Sequence, residues 1–305
     1  MAPLRGISLI LVAFTILTFM SAFVKAASET VPTGQVVFFR AFLSLPIIAG
    51  WLWARGELRS GLYVGNLRSH VVRGVVGTVS MGLGFGSLAI LPLAEAQAIR
   101  FATPVFLVVF AALILGERFR LIRLGAVAAG LAGVLVIVAP RFGTSDMSGL
   151  ALLGAGMALT SAGLAALAQV IIKAMSGTER SEAIAFYFLA TAAVGALFTL
   201  PFGWVWPTPY EALLLAGCGL FGAVGQMFLT ASYQYADASA LAPFSYISMI
   251  WATLIGFVWF GEVPDWPIYA GAALIIGSGI AIVLREHQLN RAETARRKLR
   301  AKGMM

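Results

Sequence analysis

Residues 73–117 read RGVVGTVSMGLGFGSLAILPLAEAQAIRFATPVFLVVFAALILGE, and residues 218–262 read CGLFGAVGQMFLTASYQYADASALAPFSYISMIWATLIGFVWFGE. Laid one on the other, the two match without a gap at a constant separation of 145 residues. Gly74 and Gly77 fall on Gly219 and Gly222, Ser87 on Ser232, Phe101 on Tyr246, and Gly116-Glu117 on Gly261-Glu262. After one inserted residue, Gly125 and Gly133 fall on Gly271 and Gly279. A duplication this long in so apolar a chain predicts two copies of one membrane unit, a construction common among transporters.

Composition sets the solvent. The 305 residues are 60% hydrophobic and 11% charged, with mean hydropathy +0.92, whereas a soluble domain carries roughly 25% charged residues. Spanning helices need ~20 predominantly apolar residues. Ten such stretches lie near 7–27, 34–54, 70–91, 95–115, 121–139, 149–172, 183–202, 211–232, 239–260 and 267–284. The short loops between them leave no room for a soluble domain. The expected fold is an all-α polytopic membrane protein of ten transmembrane helices arranged as two inverted five-helix repeats. Residues 1–140 form the first repeat and 149–284 the second, with a basic cytoplasmic tail at 285–305.

The first stretch also resembles a signal peptide, with Arg5, an apolar run and small residues at Ala26-Ala27-Ser28. Lys25-Ala26 and Lys173-Ala174 close stretches one and six alike, which favours a retained helix. The single Cys218 excludes an intrachain disulfide and a cysteine-rich metal site. No cofactor and no metal are expected.

The net charge of +8 is placed asymmetrically. With a cytoplasmic N-terminus, seventeen of the twenty-one Lys and Arg fall on inside segments, including Arg55, Arg59, Arg68, Arg73, Arg180 and seven in the tail. Only Lys25 and Arg141 fall outside, and Arg40 and Arg100 lie within spans. The positive-inside rule then places both termini in the cytoplasm. No aromatic residues interleave the tail's charges, so membrane lipid headgroups are the expected partner and nucleic acid is not. Five spans per repeat make the second copy enter upside down. Glu117 is followed by Arg118, Arg120 and Arg123, whereas Glu262 is followed by Val263, Pro264 and Asp265, as loops on opposite sides require.

Leu91-Pro92-Leu93-Ala94-Glu95-Ala96, Pro104, Gly116-Glu117-Arg118, Gly125 and Gly130 resemble the drug/metabolite transporter superfamily, specifically its EamA-type repeat. Ala238-Ser239-Ala240-Leu241-Ala242-Pro243 and Gly261-Glu262 look like the second copy. The resemblance implies a ten-helix fold with a central cavity that moves small organic metabolites across the cytoplasmic membrane. It implies neither one substrate nor one direction.

Ionisable groups inside a membrane are costly and default to functional candidates. Arg40 is typical of the EamA-type pattern, and the favoured reading pairs it with helix-end carbonyls or headgroups. Arg100 occupies a place where the family pattern has a small or hydroxylated residue, as its counterpart Ser245 does. A five-residue spacing sets Glu95 and Arg100 about 140° apart around a helix, which disfavours their direct pairing. Arg100 is therefore the candidate anion-binding residue for a carboxylate or phosphate, against the alternative that a protein carboxylate neutralises it. Gln97, Arg100, Phe101 and Pro104 share one helix face, and Ser245 and Tyr246 are their repeat counterparts. Gln226 and Tyr233, with Thr230 between them, form a second stripe, and Trp251 is either a cavity wall or core. Ser80, Thr160, Ser161 and Gln169 complete the polar set, though each hydroxyl could simply bond to its own helix. Glu95 is the sole proton-coupling candidate, with a plain role at a helix N-terminus as the alternative. The dense Gly residues of spans three and eight read as close-packing positions, with sliding as a further possibility.

No cluster of acids, bases or metal ligands at membrane depth suggests an enzyme. The first functional reading is a secondary transporter of a small molecule, an amino acid or related carboxylated compound, by export. Import of a larger nutrient or cofactor, such as a vitamin or nucleoside-like compound, is the second, and a lipid translocator the third. Oligomeric state is left open.

Overall fold

The computed structural model of the protein describes residues 3–115, 149–235, 247–263 and 265–274, with a few separate positions elsewhere. Among these residues there are helices and no strand. The elements are α1 (Pro3–Ala27), α2 (Thr33–Ala54), a short α3 (Leu58–Gly61), α4 (Leu67–Ile90), α5 (Leu93–Arg100), α6 (Thr103–Leu115), α7 (Gly149–Met175), α8 (Ser181–Leu197), α9 (Pro209–Tyr235) and α10 (Ile247–Phe260). Of these, α1, α2, α4, α7 and α9 are long and apolar enough to cross a membrane, and α8 and α10 are shorter apolar helices. The predicted span near 121–139 lies largely outside the described residues, as do Tyr246, Glu117 and the basic tail.

The fourth predicted span is not one helix. It breaks between α5 and α6, at Phe101-Ala102, directly after Arg100. Pro104 explains the break, because it has no N–H to give the Arg100 carbonyl four residues back. The Thr103 hydroxyl donates to that carbonyl instead, at 2.7 Å. At the equivalent place in the second copy, Ser248 Oγ donates to the Ser245 carbonyl, also at 2.7 Å. Pro104 corresponds to Met249, which keeps its N–H, yet the same hydroxyl-to-carbonyl bond recurs. Non-helical backbone at membrane depth persists only where its polar groups find partners in protein or face a cavity.

Helix packing comes in matched pairs. α1 lies along α9 as α7 lies along α4, and α2 meets α9 as α8 meets α4. α1 meets α10 as α7 meets α6, and α2 packs directly on α8. Each of these contacts thus has an exchanged counterpart. Small residues permit the closest of these approaches. A Cβ added to Gly74 would sit 2.5 Å from Thr191 Oγ1, and one added to Gly219, its repeat counterpart, 2.5 Å from Leu43 Cβ.

The two ends of the bundle are tied differently. At the end where α1 and α4 finish, Lys25 Nζ lies 3.0 Å from Glu262 Oε1 and donates to the Leu91 carbonyl at 2.9 Å. The other Glu262 oxygen accepts the Leu93 N–H at 2.9 Å. One ion pair therefore joins α1, the α4–α5 corner and the segment after α10. At the opposite end, Glu179 accepts the N–H groups of Gly65 and Asn66 at 3.0 and 2.8 Å, and His70 Nε2 lies 3.3 Å from it. Burial works against the charged form of Glu179, but the Gly65 N–H, the His70 ring and the Asn66 N–H outweigh it and hold the carboxyl below its ordinary range. Arg180 pairs with Glu57 beside it.

Trp53, Trp206 and Trp266 are exposed near helix ends, where indoles anchor at the interface. Trp204 turns inward, its Nε1 donating to Thr199 Oγ1 at 3.0 Å.

The packing of Gly219 yields a stability test. Gly219→Ala places a methyl against Leu43 Cβ, an atom with no rotamer to escape by, and overpacking of this kind costs about 1–3 kcal/mol. Gly82→Ala meets no atom within 4 Å and is the control. Thermal unfolding in detergent should show a lowered Tm for Gly219→Ala and an unchanged or raised one for Gly82→Ala.

Candidate functional site

The helix break places Arg100 at the wall of a central cavity. Two adjoining chambers, of about 160 and 70 Å³, share Phe14, Gln97, Arg100, Ala165, Gln169 and Ser248. Arg100 ends α5 and is partly exposed to this space. Gln97 lies one turn before it and is buried. Both therefore serve the two chambers at once, as their shared helix face predicts.

The larger chamber adds Gln226 of α9, whose Nε2 donates to Thr230 Oγ1 at 3.1 Å. That bond uses one of the amide's donors and leaves its remaining capacity for other partners. The smaller chamber adds Phe101, Thr103, Tyr233 and Ser245. Arg100, Gln97, Phe101, Gln226, Tyr233 and Ser245 are thus brought together around these two adjoining chambers. Tyr246 lies outside the described residues.

Two of the expected site residues are placed elsewhere. Trp251 does not line either chamber; its Nε1 donates to Thr15 Oγ1 of α1 at 3.1 Å, and its ring meets Phe19 at 5.6 Å. It packs between α1 and α10, held by a hydroxyl at its edge and a phenyl ring at its side. Glu95 is 1% exposed in the first turn of α5 and also lies away from the lining. Its position suits the positive end of the helix dipole.

The hydroxyls divide in the same manner. Ser80 and Ser161 line the larger chamber but are engaged with each other's backbone, Ser80 Oγ donating to the Ser161 carbonyl at 2.9 Å and Ser161 Oγ to the Ser80 carbonyl at 2.8 Å. They clasp α4 to α7. Thr160 faces outward.

Two residues that line the larger chamber were not expected there. Arg40, read as pairing with helix ends or headgroups, is buried beside α9. Arg73, counted among the charges of the inside segments, lies two turns inside α4 and is buried as well. Span boundaries drawn from hydropathy put Arg73 at the edge because a charge lowers the local average. The signal that could have found it is Gly77, four residues on, which clears the helix surface directly above it. Three guanidiniums thus border one cavity, with no Asp or Glu among the described lining residues. No group of three or more metal-ligating side chains is found among the described residues.

Comparisons with known proteins agree with this architecture. The EamA-like transporter family matches residues 4–139 and again 152–285. A pseudopaline exporter of Pseudomonas aeruginosa is 34% identical over 278 residues, covering 91% of this chain and 95% of the relative. A riboflavin transporter of Rhizobium johnstonii is 34% identical over 224 residues, 73% of this chain and 72% of the relative. An S-adenosylmethionine uptake transporter of Rickettsia prowazekii is 27% identical over 83% of each chain. A solved crystal structure, 25% identical, superposes with a TM-score of 0.67 over 92% of this chain and 98% of its own.

The reciprocal serine clasp predicts a structural role for two residues that border the cavity. Interhelical hydrogen bonds of this kind average about 0.6 kcal/mol in membranes. Ser80→Ala should therefore lower stability by that order, and adding Ser161→Ala, which removes the other bond, should cost about as much again. Unfolding of the single and double variants in lipid–detergent mixtures measures both.

Proposed function

The chain belongs to the EamA-like transporter family, and on that premise we propose that it is a secondary transporter that carries small carboxylated metabolites through this cavity by alternating access. The observation that carries the proposal is Arg100, a fixed cation at a helix break, exposed to both chambers with no carboxylate among the described lining residues. A guanidinium offers a carboxylate two parallel N–H donors in a fixed plane. Gln97, Gln169 and Gln226 supply amides that can orient the remainder of the substrate.

The exchanged helix contacts support a reading of residues 1–140 and 149–284 as two five-helix repeats in inverted orientation. Two such halves around one site can trade conformations and open it to either side. In this reading Lys25 and Glu262 close the outer end, since the excess of basic residues on alternate segments favours a cytoplasmic N-terminus. Export is the proposed direction, in keeping with the pseudopaline exporter that this chain resembles over nearly its whole length. The membrane is the cytoplasmic one, with both termini inside.

Purified protein in proteoliposomes should accumulate labelled carboxylated metabolites in counterflow. Arg100→Ala should reduce that flux about ten- to a hundredfold, matching the 1.5–3 kcal/mol of a charged hydrogen bond. The variant's retained gel-filtration profile and Tm distinguish lost binding from lost fold. Undiminished flux in the folded variant would remove Arg100 from the site.

The outer closure has its own test. A cysteine at Ser21, on the larger chamber, is introduced in a Cys218→Ser background. Glu262→Gln should speed its modification by a membrane-impermeant maleimide added outside whole cells several-fold. The charge-swapped pair Lys25→Glu with Glu262→Lys should return the rate towards that of the parent. Equal rates in all three would show that the ion pair does not hold the outer end shut.

A further inference from the structure

One carboxylate at Arg100 leaves two arginines of the cavity unexplained. Arg40 and Arg73 are 3% and 4% exposed, and in each both Nε and Nη1 are buried with no hydrogen-bond partner among the described residues. Both lie over one aromatic ring. The guanidinium carbons of Arg40 and Arg73 lie 5.6 and 4.2 Å from the centroid of Phe188. A cation over a phenyl face gains only modestly from the ring's quadrupole. An ionised group buried without a charged partner costs several times that, and two like charges sharing one ring add mutual repulsion.

The fold nevertheless makes room for both. A Cβ on Gly77 would fall 2.0 Å from Arg73 Nη1, and one on Gly222 would fall 2.8 Å from Arg40 Nε. Gly77 and Gly222 are equivalent positions of the two repeats, so each half clears a helix face for one guanidinium. The arginines themselves are not equivalent: Cys218 stands in the second copy where Arg73 stands in the first. A purely structural arginine would have been given a carbonyl or carboxylate, since buried polar groups in proteins nearly always have one. These two have a cavity instead.

We infer that Arg40 and Arg73 form a second anion subsite, so that the transported compound carries at least two anionic groups, one held by this pair and another by Arg100. Substrates of this class are di- and tricarboxylates and phosphorylated acids. Binding such a compound supplies the countercharge that the empty site lacks. It also gives discrimination against monocarboxylates, which would satisfy one subsite and leave the other cations unpaired. The inference rests on the reading of this cavity as the transport site.

The test uses the full chain purified in detergent, with citrate and inorganic pyrophosphate as multivalent probes and butyrate as the monovalent one. Sodium chloride balances ionic strength in every sample. In wild type, calorimetry should show citrate or pyrophosphate binding at least tenfold more tightly than butyrate, with a matching rise in Tm. Arg40→Met and Arg73→Met should each reduce that advantage at least tenfold. Each should also raise the ligand-free Tm, because an unpaired buried cation has been replaced by an apolar chain of similar length.

Equal binding of all three probes, or a Tm shift that follows ionic strength alone, would overturn the inference without recourse to any variant. A methionine variant that folds less stably and keeps wild-type preference for citrate would overturn it too, by making the arginine a structural element. Should either methionine variant not fold, Arg40→Lys and Arg73→Lys keep the charge and lose the planar fork. They should retain the multivalent preference at reduced affinity, and an unaltered affinity would count against the subsite. Tight multivalent binding with no flux in proteoliposomes would uphold the subsite and refute the transport reading instead.

Discussion

Within a bilayer no water is at hand to hydrogen-bond a stray carbonyl or to solvate a charge, and every feature of this protein follows from that constraint. Among the described residues the long apolar segments are helical, and at the break in the fourth span a side chain supplies a missing bond. The Thr103 and Ser248 hydroxyls do so at equivalent places in the two copies, each capping the carbonyl three residues back. The break in the fourth span is therefore inexpensive, and it turns Arg100 from a helix flank into the wall of a cavity. Glu179 does comparable work at one end of the bundle by accepting two loop N–H groups, and Glu262 at the other by accepting one.

The same constraint gives the arginines their meaning. Three permanent cations around one cavity oppose the stability of the empty protein, and cation–π contact with Phe188 offsets only a part of the cost. Such an arrangement suits a carrier. A site that is poorly satisfied when empty gains from its ligand, and in alternating access the loaded protein must cross between states more readily than the empty one does for exchange to predominate. Under this account the substrate acts as the missing part of the core. Sites of this kind hold residues that lower stability and are kept because function needs them.

Much of the architecture was legible in the chain. The gapless match at a separation of 145 residues and the apolar stretches anticipated a polytopic helical protein, and the EamA-type signature pointed to the family that the comparisons establish. The face formed by Gln97, Arg100 and Phe101 could be read because helical spacing is local. What could not be read depended on contacts between distant segments. Arg73 looked like a loop charge because its shelter, Phe188 and the notch at Gly77, comes from another helix and from an absent side chain. Trp251 looked as suited to a cavity as to a core, and only Thr15, 236 residues away, decides it. Ser80 and Ser161 have hydroxyls like any binding residue until their mutual clasp is seen.

The most direct measurement is an experimental structure of the protein in lipid nanodiscs with citrate present, beside one without it. The account predicts density between Arg40, Arg73 and Arg100 that appears only with citrate, with carboxylate oxygens at hydrogen-bonding distance from the Arg100 fork and from the Arg40–Arg73 pair. Guanidiniums turned onto protein carboxylates or backbone carbonyls, with the cavity unchanged by citrate, would contradict it.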